Sequence, residues 1–287
     1  MTITYVLQVL QAMEDGKIQD PTYIKDLEGE LHKAFRRVRR RLLRLRSRAQ
    51  YEIGEMDRAK VSATSSHMEE FTKYCAMIRN FNMKDCEGLP GIESFLKEGF
   101  EVDDMIARAD KIASLEAVSA AAYSPMALGF GILDSFAILP KVNIDNKRFH
   151  SMDKTYIHEL IEELKNYQNH VRKLTASIDE IGRKAREEAD CLNDLHDYFV
   201  DGIDDLKTIL ERKGEDWNRY SQSEKMQVAR AIQCAQLITI LFPHLLNDKG
   251  EVSEESEKAI EKAKNLQDSD FDWSDFDEPK IIDDLVE

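Results

Sequence analysis

From Ile157 onward, apolar residues return along the chain in alternate steps of three and four. The series is Ile157, Leu160, Leu164, Tyr167, Val171, Leu174, Ile178, Ile181, Ala185, Glu188, Leu192, Leu195, Phe199, Gly202, Leu206 and Ile209. Fourteen of the sixteen are apolar, so only Glu188 and Gly202 break the pattern. A 3.5-residue repeat held over about eight heptads predicts a coiled-coil seam on one long helix, Lys154 to Glu211. At ~1.5 Å per residue that helix is on the order of 85 Å long and needs a partner along its length. An earlier helical pattern supplies one. It opens at Asp20-Pro21, where Asp can accept from free N–H groups and Pro suits the first helical position. It runs from about Thr22 to Phe81 through Ile24, Leu27, Leu31, Phe35, Val38, Leu42 and Leu45, then Met68, Phe71, Cys75 and Ile78. Ile53, Met56 and Ala59 shift its phase, and Ser62 to Ser66 is poor helix material, which predicts a kink or break. An antiparallel intramolecular pairing of the two long helices is the natural arrangement, with a second copy of the chain as the alternative.

Shorter elements surround these two. Met1 to Leu10 reads as a short helix without the basic start and cleavage site of a secretory signal. Asn82 to Gly99, with Gly88, Pro90, Gly91 and Gly99, is a connector, followed by a helical stretch over Val102 to Ala122. Ser221 and Glu224 have capping-box spacing and predict a helix over Lys225 to Leu246. Asn247 to Gly250 is a turn, and Ser253 to Leu266 a short charged helix. The expected fold is all-α: a long antiparallel coiled-coil rod with an apolar hairpin, a smaller C-terminal helical part and an acidic tail. By this reading residues 1–212, 213–267 and 268–287 are its three parts.

Composition narrows the class. The 287 residues include 12 Gly and 6 Pro, too few for an all-β chain that turns every ten residues. Four cysteines, Cys75, Cys86, Cys191 and Cys234, are widely spaced and form no CxxC pair, as expected of free thiols in a reducing, cytoplasmic compartment. The formal charge is −15, yet it is distributed very unevenly.

Lys33 to Arg48 (KAFRRVRRRLLRLRSR) holds nine basic residues and no acid. On a helix, Phe35, Val38, Leu42 and Leu45 form one stripe while Arg36, Arg37, Arg39, Arg40, Arg41, Arg44, Arg46 and Arg48 cover the rest. Such a basic amphipathic helix meets anionic lipid or an acidic protein segment. Nucleic acid fits less well, because the chain is acidic overall and no aromatic residue interleaves with the arginines beyond Phe35. A solvated helix flank is the plainer alternative.

The tail from Asp268 to Glu287 has nine acids against Lys280, a net of −8. Its composition does not support folding alone, but Phe271, Trp273 and Phe276 are anchors of the kind a protein-docking segment uses. Opposite charge also allows it to mask the arginine helix. Between the long helices, residues 117–139 (AVSAAAYSPMALGFGILDSFAIL) carry one charge, Asp134. Ser124, Pro125, Asp134 and Ser135 interrupt this stretch. It is either a buried hairpin or a membrane-contact segment, in which case Leu128, Phe130, Ile132, Leu133 and Phe136 meet lipid.

Catalytic signatures are missing: there is no P-loop, dinucleotide fingerprint, nucleophile elbow, zinc-protease motif or Glu-x-x-His. His158 and Glu162 share a helix face, and Asp194, His196 and Asp197 cluster on the long helix, but His beside carboxylates on an acidic helix reads as a solvated pair, so no metal site and no cofactor is expected.

The C-terminal run YSQSEKMQVARAIQCAQLITILFPHLLNDKGEVSEESEKAIEKAKNL, within Arg219 to Leu266, resembles a family of bacterial α-helical proteins, most of them uncharacterised. The features concerned are Ser223-Glu224-Lys225, the Ala229 to Ala235 helix, the Leu245-Leu246-Asn247-Asp248-x-Gly250 turn and the Glu254-Glu255-Ser256-Glu257 run. That family carries a Gly/Ala-rich, glycine-zipper-like apolar segment between long helices, where this chain has the shorter, Gly-poorer 117–139. The resemblance implies a bacterial, cytosolic origin and no catalytic residues. The expected function is therefore a non-enzymatic, oligomerising helical protein that engages a membrane peripherally through the apolar hairpin and arginine helix. A soluble scaffold binding protein partners through the rod and acidic tail is the competing expectation.

Overall fold

The computed structural model describes residues 3–18, 21–64, 66–86, 103–104, 106–107, 109, 142, 144–151, 153–242 and 253–268. Among these no strand occurs, and seven named α-helices carry the fold. They are α1 (Ile3–Glu14), α2 (Pro21–Thr64), α3 (Ser66–Cys75), α4 (Asn146–His150), α5 (Lys154–Lys213), α6 (Gln222–Leu241) and α7 (Glu254–Asp268). The chain divides into two compact units, Met1–Ile53 with Met126–Arg183 and Gly54–Pro125 with Lys184–Glu287. The division passes through both long helices.

In the first unit, the apolar stripe of α1 drives its packing. Val6, Val9, Leu10 and Met13 are buried with Leu27 and Leu31 of α2, Phe149 of α4, and Tyr156, Ile157, Leu160, Ile161 and Leu164 of α5. Higher up, Ile3, Ala34 and Tyr167 form a second cluster, with the Phe35 ring edge-on to Tyr167 at 4.9 Å. Thr4 accepts from Gln168 and Glu14 meets His158, so α1 runs antiparallel to α5. Local capping sets the entry to α5. Asp145 caps α4 through the Lys147 and Arg148 N–H groups, and Asp153 accepts from Thr155 and Tyr156 at the start of α5.

In the second unit, the end of α2, α3 and the later half of α5 pack with α6 and α7. Ser221 caps α6 in a full capping box, its Oγ accepting from Glu224 N–H while the Glu224 carboxylate accepts from Ser221 N–H. The helix spans Gln222–Leu241, starting where the spacing predicts and turning out at Phe242. Gly214, at φ +82°, ends α5 in the left-handed conformation that glycine adopts without a Cβ clash.

The pairing of the long helices differs from the expectation. In the first unit Phe35 meets Tyr167 and Ala49 meets Gly182. In the second Lys60 meets Glu188, His67 meets His196, and Phe71 meets Phe199. Sequence numbers rise together in both units, so α2 and α3 run parallel to α5, and the antiparallel arrangement is corrected. Because α1 runs against α5 in the first unit, the parallel neighbours there are not left alone with aligned dipoles.

The described parts of the first long pattern, α2 to Thr64 and α3 from Ser66, flank residue 65, so the expected kink or break lies partly outside the described residues; the second part ends at Cys75 rather than Phe81. Arg79 leaves the helix to form a short backbone bridge, donating to Glu215 O at 2.7 Å and accepting from Trp217 N–H. Asn80 follows at φ 60°, which a continuing helix does not allow. The 3.5-residue series itself holds throughout: fifteen of its sixteen positions are buried and Val171 is half-buried.

Candidate functional site

The arginine segment lies on α2 within the first unit. Ala34, Leu42 and Ala49 turn inward, and Phe35, Val38 and Leu45 are half-buried beside them. One hundred degrees per residue then places Arg36, Arg40 and Arg44 on the opposite crest. Arg36, Arg37, Arg39, Arg40, Arg41, Arg44 and Arg48 are all exposed, and only Arg46 is half-buried. Arg48 pairs with Glu52 at 3.8 Å and Lys33 with Glu30 at 2.8 Å, which brackets the segment with acids. Between the brackets, Arg36, Arg39, Arg40, Arg41 and Arg44 form no ion pair with a described residue.

Two apolar side chains share this crest. Leu43 is 47% exposed and Tyr51 61%. Sequence reasoning placed neither there, since it followed the inward stripe and treated the remainder as arginine. Their phase was the available signal: Leu43 and Tyr51 fall about 20° and 60° from Arg36 around a helix of ~100° per residue. The result is a cationic surface with two apolar contacts set into it.

The remaining sequence candidates are placed less favourably or lie elsewhere. Leu128, Phe130, Ile132, Leu133 and Phe136 of segment 117–139, and Phe271, Trp273 and Phe276 of the tail, lie outside the described residues. His158 does not join Glu162; its Nδ1 meets Glu14 at 2.7 Å, while Glu162 pairs with Lys165. No helix among the described residues is long and apolar enough to cross a membrane.

In the second unit, polar groups are brought together inside the packing. Lys60 Nζ lies 2.6 Å from Glu188, with the two side chains 3% and 0% exposed. Burial holds the Glu188 carboxyl above the ordinary carboxylate range, against the pull of Lys60. Asp85 accepts from Trp217 Nε1 at 2.9 Å and from Lys225 Nζ at 2.8 Å; the hydrogen bond from Lys225 is foremost in holding its carboxyl below the usual range. These contacts tie the turn Met83–Cys86 to α6 and read as structure.

Nucleophilic chemistry finds little support here. All four cysteines are buried, and burial raises each thiol, Cys86 and Cys191 to about 11 and Cys234 to about 12. They are neutral thiols at physiological pH. Among the described residues no group of three or more His, Cys, Asp or Glu side chains could hold a metal. Compared with protein-family models, with curated proteins and with solved structures, the chain has no match.

Proposed function

We propose that this chain is a non-enzymatic helical binding protein that engages an anionic membrane surface through the α2 crest. The observation that carries the reading is the row Arg36, Arg39, Arg40, Arg41 and Arg44, exposed, without an ion pair to a described residue, and interleaved with exposed Leu43 and Tyr51. Cations near an anionic leaflet gain about 1 kcal/mol each, and apolar residues between them enter the headgroup boundary. The apolar segment 117–139 supplies a second, salt-resistant contact in this reading, after attraction has brought the protein to the surface. Binding is peripheral. Because α5 buries its seam against the chain's own helices, the reading does not require a second copy.

The test is co-flotation with phosphatidylcholine vesicles, with and without phosphatidylserine, at low and high salt. The wild type should float with anionic vesicles, and Arg36→Glu/Arg40→Glu/Arg44→Glu should weaken that binding by about 100-fold or more, the equivalent of three lost attractions of ~1 kcal/mol each. Leu128→Asp/Phe130→Asp/Ile132→Asp should remove the fraction that survives high salt. Wild-type protein that stays in the soluble fraction under every condition overturns the reading. So does equal binding by the triple Glu variant.

A further inference from the structure

Two histidines away from the arginine crest stand close enough to share a ligand. His67, one residue into α3, and His196, on α5, face each other within the second unit, both half-buried. Nδ1 of His67 and Nε2 of His196 stand 3.4 Å apart, with ring centroids 5.2 Å apart and planes at 59°.

The contact stands at the long end of the hydrogen-bond range. N–H donors prefer an acceptor at about 2.7–3.2 Å. An in-line N–H···N contact stretched to the observed separation would also place the centroids about 5.6 Å apart, since each nitrogen lies about 1.1 Å from its ring centre, whereas strong bonds run near-linear. The observed centroids are closer than that, so at least one ring is tilted off the line between the nitrogens. Two imidazoles on one tetrahedral zinc show that relation: nitrogens about 2.0–2.1 Å from the ion lie about 3.3–3.4 Å apart, and their centroids about 5.2 Å.

We propose that His67 and His196 form a two-histidine site for a borderline transition-metal ion of the zinc and copper(II) class. The chain supplies two imidazole nitrogens, and water completes the coordination sphere. Imidazole selects such ions over magnesium or calcium, which take oxygen ligands. Both lone pairs are available when the ring protons sit on His67 Nε2 and His196 Nδ1. Burial and the neighbouring His67 hold His196 below its ordinary pKa. Asp197 places a negative charge near His196 and favours the cation further. The bound ion would clip α3 to α5, two segments more than a hundred residues apart in sequence.

The experiment titrates the full-length protein with zinc chloride by calorimetry and follows copper(II) by electron paramagnetic resonance. The wild type should bind one ion at micromolar strength, with copper showing hyperfine coupling to two nitrogens. His67→Gln and His196→Gln should each weaken zinc by at least about tenfold, since even disturbing a ligand's supporting partner costs that much. Each should also reduce the copper spectrum to one coupled nitrogen. His158→Gln, which alters the exposed pair with Glu14, should change neither. Unaltered circular dichroism without metal guards against misfolding of the variants. Absence of wild-type binding, or binding that survives both His67→Gln and His196→Gln, overturns the site.

Discussion

In the first unit the α5 seam is Ile157, Leu160, Leu164, Tyr167, Val171, Leu174, Ile178 and Ile181, apolar at every position, while charge is turned outward on the α2 crest. In the second unit the same seam continues through Ala185, Glu188, Leu192, Leu195, Phe199, Gly202, Leu206 and Ile209, and it admits a carboxylate and a glycine. Beside it stand His67 facing His196 and buried Lys60 facing Glu188. Periodicity is identical in the two halves, yet the chemistry placed on it is not. An apolar seam contributes stability with little discrimination, whereas buried polar pairs constrain which neighbour fits and at what register.

The sharpest way to break the comparison is at Lys60. Lys60→Met leaves the Glu188 carboxyl buried beside an apolar side chain, a change that costs about 3–5 kcal/mol when a buried pair loses one partner. Lys60→Met/Glu188→Leu should recover most of that loss, making the second unit resemble the first. The pH dependence gives the sign. A carboxyl whose folded pKa is raised favours the protonated folded state, so its contribution is full below the ordinary carboxylate pKa and is lost as pH rises through the folded value. Without Lys60 the folded pKa climbs further, and the deficit of Lys60→Met should therefore be smallest in acid and grow toward neutrality. Urea denaturation at a series of pH values reads this directly. A deficit independent of pH would show that ionised Glu188 is not its source.

Next in size is the glycine contrast. An ideal Cβ on Gly202 would lie 2.7 Å from Ala231 Cβ and 3.2 Å from its Cα, on the rigid part of α6. On Gly182 it would lie 3.3 Å from Ala49 Cα and 3.4 Å from Ala49 Cβ. Gly202→Ala should cost about 1–3 kcal/mol through overpacking, despite alanine's better helix propensity. At Gly182 the propensity gain of ~1 kcal/mol offsets a milder contact, so Gly182→Ala should lie near neutral. Adding Ala231→Gly should restore much of the Gly202→Ala loss. Thermal unfolding of the three variants decides the matter, and equal penalties at the two glycines would contradict the difference in approach.

Much of this was legible in the sequence because side-chain period reports burial directly. The capping box at Ser221 and the whole 3.5-residue series follow from local rules, and the two exceptions in the series marked the places of special packing. Direction was not legible: a heptad stripe looks the same to a parallel or an antiparallel neighbour. Direction is set by tertiary packing, which no local pattern encodes. The end of α3 was missed for a similar reason, since Ile78 and Phe81 keep the helical spacing while the Arg79 backbone is held by Glu215 and Trp217, far along the chain. For the sites, the arginine run was evident from composition, but its exposed Leu43 and Tyr51 required the helix phase. His67 and His196 sit 129 residues apart and became a pair only through the α3 and α5 packing.

A smaller effect separates the helix starts. Ser221→Ala removes one side of the α6 capping box and should cost about 1 kcal/mol in the second unit. In the first, Asp153 caps α5 with a carboxylate whose pKa is lowered, foremost by the Tyr156 N–H and then by Arg148. A depressed folded pKa contributes stability above the ordinary carboxylate range and loses it as pH falls through the folded value. Asp153→Asn keeps a good cap while abolishing that acid dependence, which unfolding curves between neutral and acidic pH should show as a flatter profile. A profile as steep as the wild type's would assign the dependence to other carboxylates.

The smallest expected change in stability is on the arginine crest, and its smallness is the point. Arg36, Arg40 and Arg44 follow one another at four-residue spacing, and each like-charged pair at that spacing costs a helix about 0.2–0.5 kcal/mol. If their role were structural, neutralising them would expose it. Arg36→Gln/Arg40→Gln/Arg44→Gln should instead leave the unfolding midpoint unchanged or raise it slightly, within about 0.5 kcal/mol, with the gain largest at low salt, where repulsion is least screened. The same variant should lose affinity for anionic vesicles by an amount far outside that range. A crest whose charges are neutral or mildly costly to the fold, yet decisive for binding, is placed for a partner. A stability loss above about 1 kcal/mol would return these arginines to the first unit's own architecture and remove the contrast drawn between the two halves.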